Sequence, residues 1–149
     1  GKRPPPPPGD LNRLGRYLRR FPNSWTAAYQ KFDPVEVDRP VEDGEDIPEL
    51  GLEAVGVPGH TPGGMCYYDR RGKRAFAGDI ISNILGRPGM PALLASESLE
   101  QIFDSQRKLA GMGLDTVYPG HGRVMGPDAS STIAEYTAGK RARMLLGSG

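Results

Sequence analysis

Proline and glycine interrupt this chain so often that no regular element can run far before it meets a turn. The sequence holds 21 Gly and 15 Pro in 149 residues, a density well above ordinary usage. A helix interior accommodates neither residue well, and a central strand excludes proline. The fold must therefore be built from short strands and a few helices joined by tight turns. The apolar share is only 37%, so the core is small. The length suits one modest domain.

Residues 4–8 are five consecutive prolines. They favour polyproline II and suit a spacer, or a ligand for a proline-binding module; spacer is the preferred reading. Asp10 offers an N-cap to a helix carrying Leu11, Leu14, Leu18 and Phe21 on one side, which Pro22 stops. Ser24 to Phe32 suggests a second short helix. We read residues 1–33 as a proline-rich start with a helical segment, and 34–149 as the domain proper. From Pro34 to Leu50 the chain is acidic and extended, with a turn at Glu42-Asp43-Gly44. Strands are predicted over 52–57, 65–68 and 74–77, the last two joined as a hairpin by residues 69–73. Residues 82–97 read as loop. Ser98-Leu99-Glu100-Gln101 is a capping-box pattern. It opens a helix with Leu99, Ile102, Phe103 and Leu109 on its apolar face, which Gly111 and Gly113 end. A short strand at 115–118 and a helix over about 129–145 complete the chain.

Charge narrows the function classes. The 19 basic and 18 acidic residues leave a net +1, which gives no case for nucleic acid or a membrane surface as partner. No apolar run approaches the ~20 residues of a membrane span, and the N-terminus has no signal-peptide pattern. The only cysteine is Cys66, so no intrachain disulfide can form. That fits a reducing, cytoplasmic compartment. Its apolar surroundings predict a buried, inert thiol.

The two histidines of the chain share one context. One closes Val57-Pro58-Gly59-His60, the other Tyr118-Pro119-Gly120-His121. Each follows a predicted strand, and strand ends are rigid platforms for a site. Between them, Gly78-Asp79 follows the strand 74–77. Two imidazoles and a carboxylate suit a borderline divalent metal such as zinc. On spacing alone the ordinary readings hold: a strand-end histidine is usually a surface or hydrogen-bonding residue, and Gly-Asp is usually a turn or cap.

The wider motifs add to this. His60-Thr61-Pro62-Gly63-Gly64, Phe76-Ala77-Gly78-Asp79 and Pro119-Gly120-His121-Gly122 resemble, in order, successive signatures of the metallo-β-lactamase superfamily. The resemblance covers roughly residues 34–125. It implies an α/β fold, the C-terminal sheet-and-helix half of an αβ/βα sandwich, with metals at one edge between two sheets. By the same resemblance His60 would ligate a first metal, His121 a second, and Asp79 would bridge them. The metals would lower the pKa of a bound water towards ~7 and supply hydroxide for attack on a carbonyl or phosphorus.

One departure is large. Members carry a His-x-His-x-Asp-His motif before these stretches, and no histidine precedes His60. That motif would supply most ligands of both metals. The resemblance therefore implies part of a zinc hydrolase acting on an ester, thioester, lactone, lactam or phosphodiester. One or two zinc ions are expected in a complete domain, and weak or no binding in this chain alone. The expected partner is a second copy or a missing N-terminal half, with a small-molecule substrate once the domain is complete. The alternative is a catalytically inactive half-domain acting as a binding or oligomerisation module. A mononuclear iron site of two histidines and a carboxylate ranks last, because the close His-x-Asp/Glu pairing of such sites is absent.

Overall fold

A computed structural model describes residues 36–93 and 96–146. The proline run, the two helices expected between Asp10 and Phe32, and Trp25 lie outside the described residues. Among the described residues seven strands and two helices follow one another: β1 (Asp46–Ile47), β2 (Leu52–Gly56), β3 (Met65–Asp69), β4 (Arg74–Gly78), β5 (Ser82–Ile84), β6 (Arg87–Gly89), α1 (Leu99–Ala110), β7 (Thr116–Pro119) and α2 (Ala129–Leu146). The main sheet has the order β1-β2-β3-β4-β7. Its first four strands alternate in direction, and β7 runs parallel to β4. Consequently β2, β4 and β7 all point the same way.

Period-2 alternation gives the sheet two different faces. Register places Val55 opposite Cys66, and Tyr68, Ala75 and Val117 in one row. This is the core face, where Val55, Cys66, Ala75, Ala77 and Val117 pack with Ile102 and Leu109 of α1 and Ala129 and Ile133 of α2. The small side chains at Cys66, Ala75 and Ala77 let the helices lie close. Full burial of a residue such as Ile102 or Leu109 contributes about 1.5–3 kcal/mol. The other face carries Tyr67, Phe76 and Tyr118 in one cross-strand row. Phe76 and Tyr118 stack with centroids 5.0 Å apart, and Phe76 remains 45% exposed.

Local chemistry explains the boundaries. Ser98 caps α1 by accepting from Gln101 N at 3.3 Å. The reciprocal half of the capping box is replaced, because the Ser98 amide donates to Gly59 O at 3.0 Å. The stretch 82–97 corrects the sequence reading: it contains the β5–β6 hairpin rather than only loop. Its two-residue turn is Leu85-Gly86, with φ of 54° and 76°, the primed geometry that matches strand twist. Leucine at a position that normally takes Asn, Asp or Gly hid the signal. Near the start of the main sheet, Asp43 accepts from Gly56 N at 2.7 Å and from Lys108 Nζ at 2.9 Å. The Gly56 amide first, then Lys108, hold its carboxyl below the usual carboxylate range. This contact ties α1 to the end of β2.

Among the described residues no helix is long and apolar enough to cross a membrane. Cys66 is fully buried, and that burial pushes its thiol up to about 12. Iodoacetamide at mildly alkaline pH should therefore leave the native chain unlabelled and modify Cys66 only after unfolding. Labelling of the native chain at the rate of a free thiol would contradict the packing described for β3.

Candidate metal centre

The three candidate ligands of the sequence follow three strands of like direction. His60 lies just beyond β2, Asp79 directly after β4, and His121 directly after β7. The C-terminal ends of these strands share one edge of the sheet, so a single crevice receives all three side chains. The Pro-Gly pair before each histidine turns the chain sharply there.

The His60 turn is clamped by α1. Ser105 Oγ donates to Pro58 O at 2.7 Å. The amides of Glu97 and Ser98 both donate to Gly59 O, at 2.9 and 3.0 Å. Gly59 has φ +129°, and a Cβ there would lie 2.5 Å from Ile102 N, so the turn touches the helix backbone and requires glycine. The Asp79 and His121 turns are joined in the same manner. Gly120 N donates to Gly78 O at 2.7 Å, and Asn83 N donates to His121 O at 2.9 Å. A Cβ at Gly120 would lie 2.1 Å from Asp79 Oδ1; the carboxylate occupies the space that glycine leaves.

The structure brings the three side chains together around Asp79. His60 Nε2 stands 3.7 Å from Asp79 Oδ2, and His121 Nε2 stands 3.5 Å from Asp79 Oδ1. Both separations exceed a good hydrogen bond. Nitrogen and oxygen ligands about 2.0–2.2 Å from one zinc stand roughly 3.3–3.6 Å apart at tetrahedral angles; the His121 pair falls within that range and the His60 pair just beyond it. Each imidazole thus faces a different oxygen of one carboxylate, and the donor types fit zinc. Among the described residues, however, no group of three His, Cys, Asp or Glu side chains could hold one ion together. The geometry is two donor pairs sharing Asp79, and each pair is short of the ligands that a closed site needs.

Beside the pairs lies a cavity of about 370 Å³. Ile81, Ile84, Met90, Pro91 and Ala92 form its apolar wall, with Ser82 as the polar exception. Gln106, fully buried on α1, holds the loop behind this wall. Its Nε2 donates to Ile80 O at 3.0 Å, and its Oε1 accepts from Thr137 Oγ1 at 3.2 Å. A larger hollow of about 530 Å³ lies at the β1 edge. There Arg70 pairs with Glu53 at 2.8 Å.

Comparison with known proteins settles the family. The profile described as the metallo-beta-lactamase superfamily matches residues 3–121. The chain belongs to the metallo-beta-lactamase superfamily. Among its relatives, the atrochrysone carboxyl ACP thioesterase AacuM of Aspergillus aculeatus is 34% identical over 128 residues, covering 85% of this chain and 38% of that protein. The lactamase-like protein nscB of Neosartorya fischeri is 32% identical, covering 71% of this chain and 30% of that protein. The chain thus spans about a third of the length of these curated relatives. A metallo-beta-lactamase family protein from Thermus thermophilus shares the fold at TM-score 0.59 and 21% identity, with 89% of this chain and 50% of that one covered. TTHA1623, solved in a di-iron-bound form, matches at TM-score 0.56 and 26% identity over 83% of this chain and 60% of that one. This superfamily's hydrolase-type members, thioesterases and lactamase-like proteins, are the relatives of this chain.

Sequence reasoning missed Ser96, Ser105 and Gln106. For the last two a signal was present. Both sit at helical spacing from Ile102 on the buried stripe of α1, where a polar side chain needs a stated partner.

The Gly120 contact yields a direct test. Gly120→Ala should displace the Asp79 carboxylate and lower stability by about 1–3 kcal/mol, read as a lower urea midpoint at unchanged slope. Gly63→Ala is the control, since a Cβ there meets nothing within 4 Å, and should be near neutral. Equal midpoints for the two variants would contradict the tight packing at Asp79.

Proposed function

We propose that this chain is the C-terminal part of a zinc-dependent hydrolase, with His60, Asp79 and His121 as its contribution to the metal ligands. The observation that carries the reading is the placement of two imidazoles against opposite oxygens of one carboxylate. That arrangement suits a carboxylate shared by two cations about 3.5–4 Å apart. When bound, zinc would supply hydroxide at neutral pH for attack on the substrate. Histidine and carboxylate donors also suit iron, and TTHA1623 was solved in a di-iron-bound form.

Among ester, thioester, lactone, lactam and phosphodiester substrates, we favour a thioester. AacuM carries the name of an ACP thioesterase, and the wall of Ile81, Ile84, Met90 and Pro91 suits the apolar part of an acyl group. Those side chains would hold the acyl portion and exclude bulk water, while Asp79 and the two histidines orient the reacting end.

The remaining donors would come from outside the present residues, either from a preceding half-domain or from a second copy. The row of Tyr67, Phe76 and Tyr118 on the second sheet face supports a covering layer there, since an exposed aromatic face of this kind favours association. The same face supports the second reading, an inactive half-domain that serves as a binding or oligomerisation module. The buried reduced thiol of Cys66 is consistent with a cytoplasmic setting.

The test is hydrolysis of an acyl thioester panel with zinc present. The 149-residue chain alone should show no turnover above its Asp79→Asn variant. Joined to an N-terminal half carrying the His-x-His-x-Asp-His motif, it should hydrolyse a thioester in a zinc-dependent way that Asp79→Asn abolishes. Robust zinc-dependent turnover by the chain alone would overturn the partial-site reading, and a folded but inactive joined domain would favour the module.

A further inference from the structure

The proton on His60 has a defined address. Ser96 is fully buried, and its hydroxyl sits between two partners. It lies 3.0 Å from His60 Nδ1 and donates to Ala92 O at 2.9 Å. A hydroxyl has one proton to give. With that proton committed to the Ala92 carbonyl, Ser96 Oγ can only accept from His60, so Nδ1 must carry the hydrogen. The other nitrogen, Nε2, faces Asp79 Oδ2 at 3.7 Å, too far for a hydrogen bond. The carboxylate attracts a proton on Nε2 across that gap but forms no hydrogen bond with it, whereas the Ser96 contact at 3.0 Å is a full hydrogen bond.

We propose that Ser96, fixed by Ala92 O, is the positioning residue that locks His60 in the Nδ1–H tautomer with the Nε2 lone pair aimed into the cavity beside Asp79. Unperturbed neutral histidine prefers the opposite tautomer, with its proton on Nε2. An imidazole in that form offers no lone pair to a cation at Nε2 and must first rearrange. The Ser96 bond removes that step and fixes the ring plane as well, as hydrogen bonds to the second nitrogen do in metal-binding histidines generally.

Chain topology makes the device economical. Residues 96–98 grip the His60 turn twice: Ser96 through the ring, and Glu97 and Ser98 through their amides to Gly59 O. Ala92, the acceptor for Ser96, also lines the cavity, so the wall that would receive a substrate is coupled to the ring of His60 by two hydrogen bonds. This inference deepens the reading of His60 as a metal ligand and rests on it.

The experiment separates the two. In the metal-free chain labelled with ¹⁵N-histidine, long-range proton–nitrogen correlation at alkaline pH, where ordinary imidazoles are neutral, reports the tautomer of each ring. There are only two histidines, and His121→Gln assigns the spectrum. His60 should appear as Nδ1–H in the wild-type chain. Ser96→Ala should shift it towards Nε2–H, and Ser96→Thr, which keeps the hydroxyl, should retain Nδ1–H. An Nε2–H His60 in the wild-type chain, or an unchanged tautomer in Ser96→Ala, would overturn the proposal. Zinc titration of the chain joined to an N-terminal half carrying the His-x-His-x-Asp-His motif supplies the second arm: Ser96→Ala should weaken binding roughly 10–100-fold. An altered tautomer with unaltered zinc affinity would overturn the positioning role. If zinc fails to bind that joined wild-type domain, the metal reading fails while the tautomer result still decides where the proton sits.

Discussion

The approach of two turns, Gly78-Asp79 and Pro119-Gly120-His121, is the constraint on which the site depends. A backbone hydrogen bond of 2.7 Å from Gly120 N to Gly78 O joins them, and only the absence of a side chain at Gly120 leaves room for the Asp79 carboxylate. Parallel pairing of β4 with β7 delivers both turns to the same edge. Once the carboxylate is wedged there, its two oxygens point to different sides, and each meets one imidazole. The position of Asp79 between the two imidazoles is thus a consequence of backbone packing rather than of hydrogen bonds among the three side chains, which stand beyond hydrogen-bonding distance.

Helix α1 serves the same edge from behind. Its N-terminal amides and Ser105 fix the His60 turn, Gln106 fixes the carbonyl of Ile80 next to Asp79, and Lys108 with Asp43 anchors the end of β2. One helix therefore sets the position of two candidate ligands and packs the core through Ile102 and Leu109 on the same stripe. Burying polar groups such as Gln106 is costly unless they are paired. The pairing here is what connects stability of the fold to geometry at the cavity.

Much of this was legible in the sequence, and the reasons are specific. Both histidines sit in identical Pro-Gly-His turns after short apolar strands, so their place at one edge of the sheet could be read from spacing and motif order. The hairpin of β3 and β4, the Ser98 cap and the final helix also follow from local patterning. The β5–β6 hairpin was not legible, because Leu85 adopts a left-handed conformation usually given to Asn, Asp or Gly. Nor was Ser96, whose importance arises from contacts 36 residues away that no local pattern encodes. The sharing of donors in pairs rather than as a closed trio is a matter of ångströms and lies beyond any sequence pattern.

The central claim is that Asp79 is the common donor of two incomplete metal pairs. Native mass spectrometry with excess zinc of the chain joined to an N-terminal half carrying the His-x-His-x-Asp-His motif, set beside the isosteric Asp79→Asn variant, tests it most directly. Asp79 as common donor predicts zinc loading in the wild-type joined domain that falls in the variant. Equal zinc loading of both, or none in either, would contradict it.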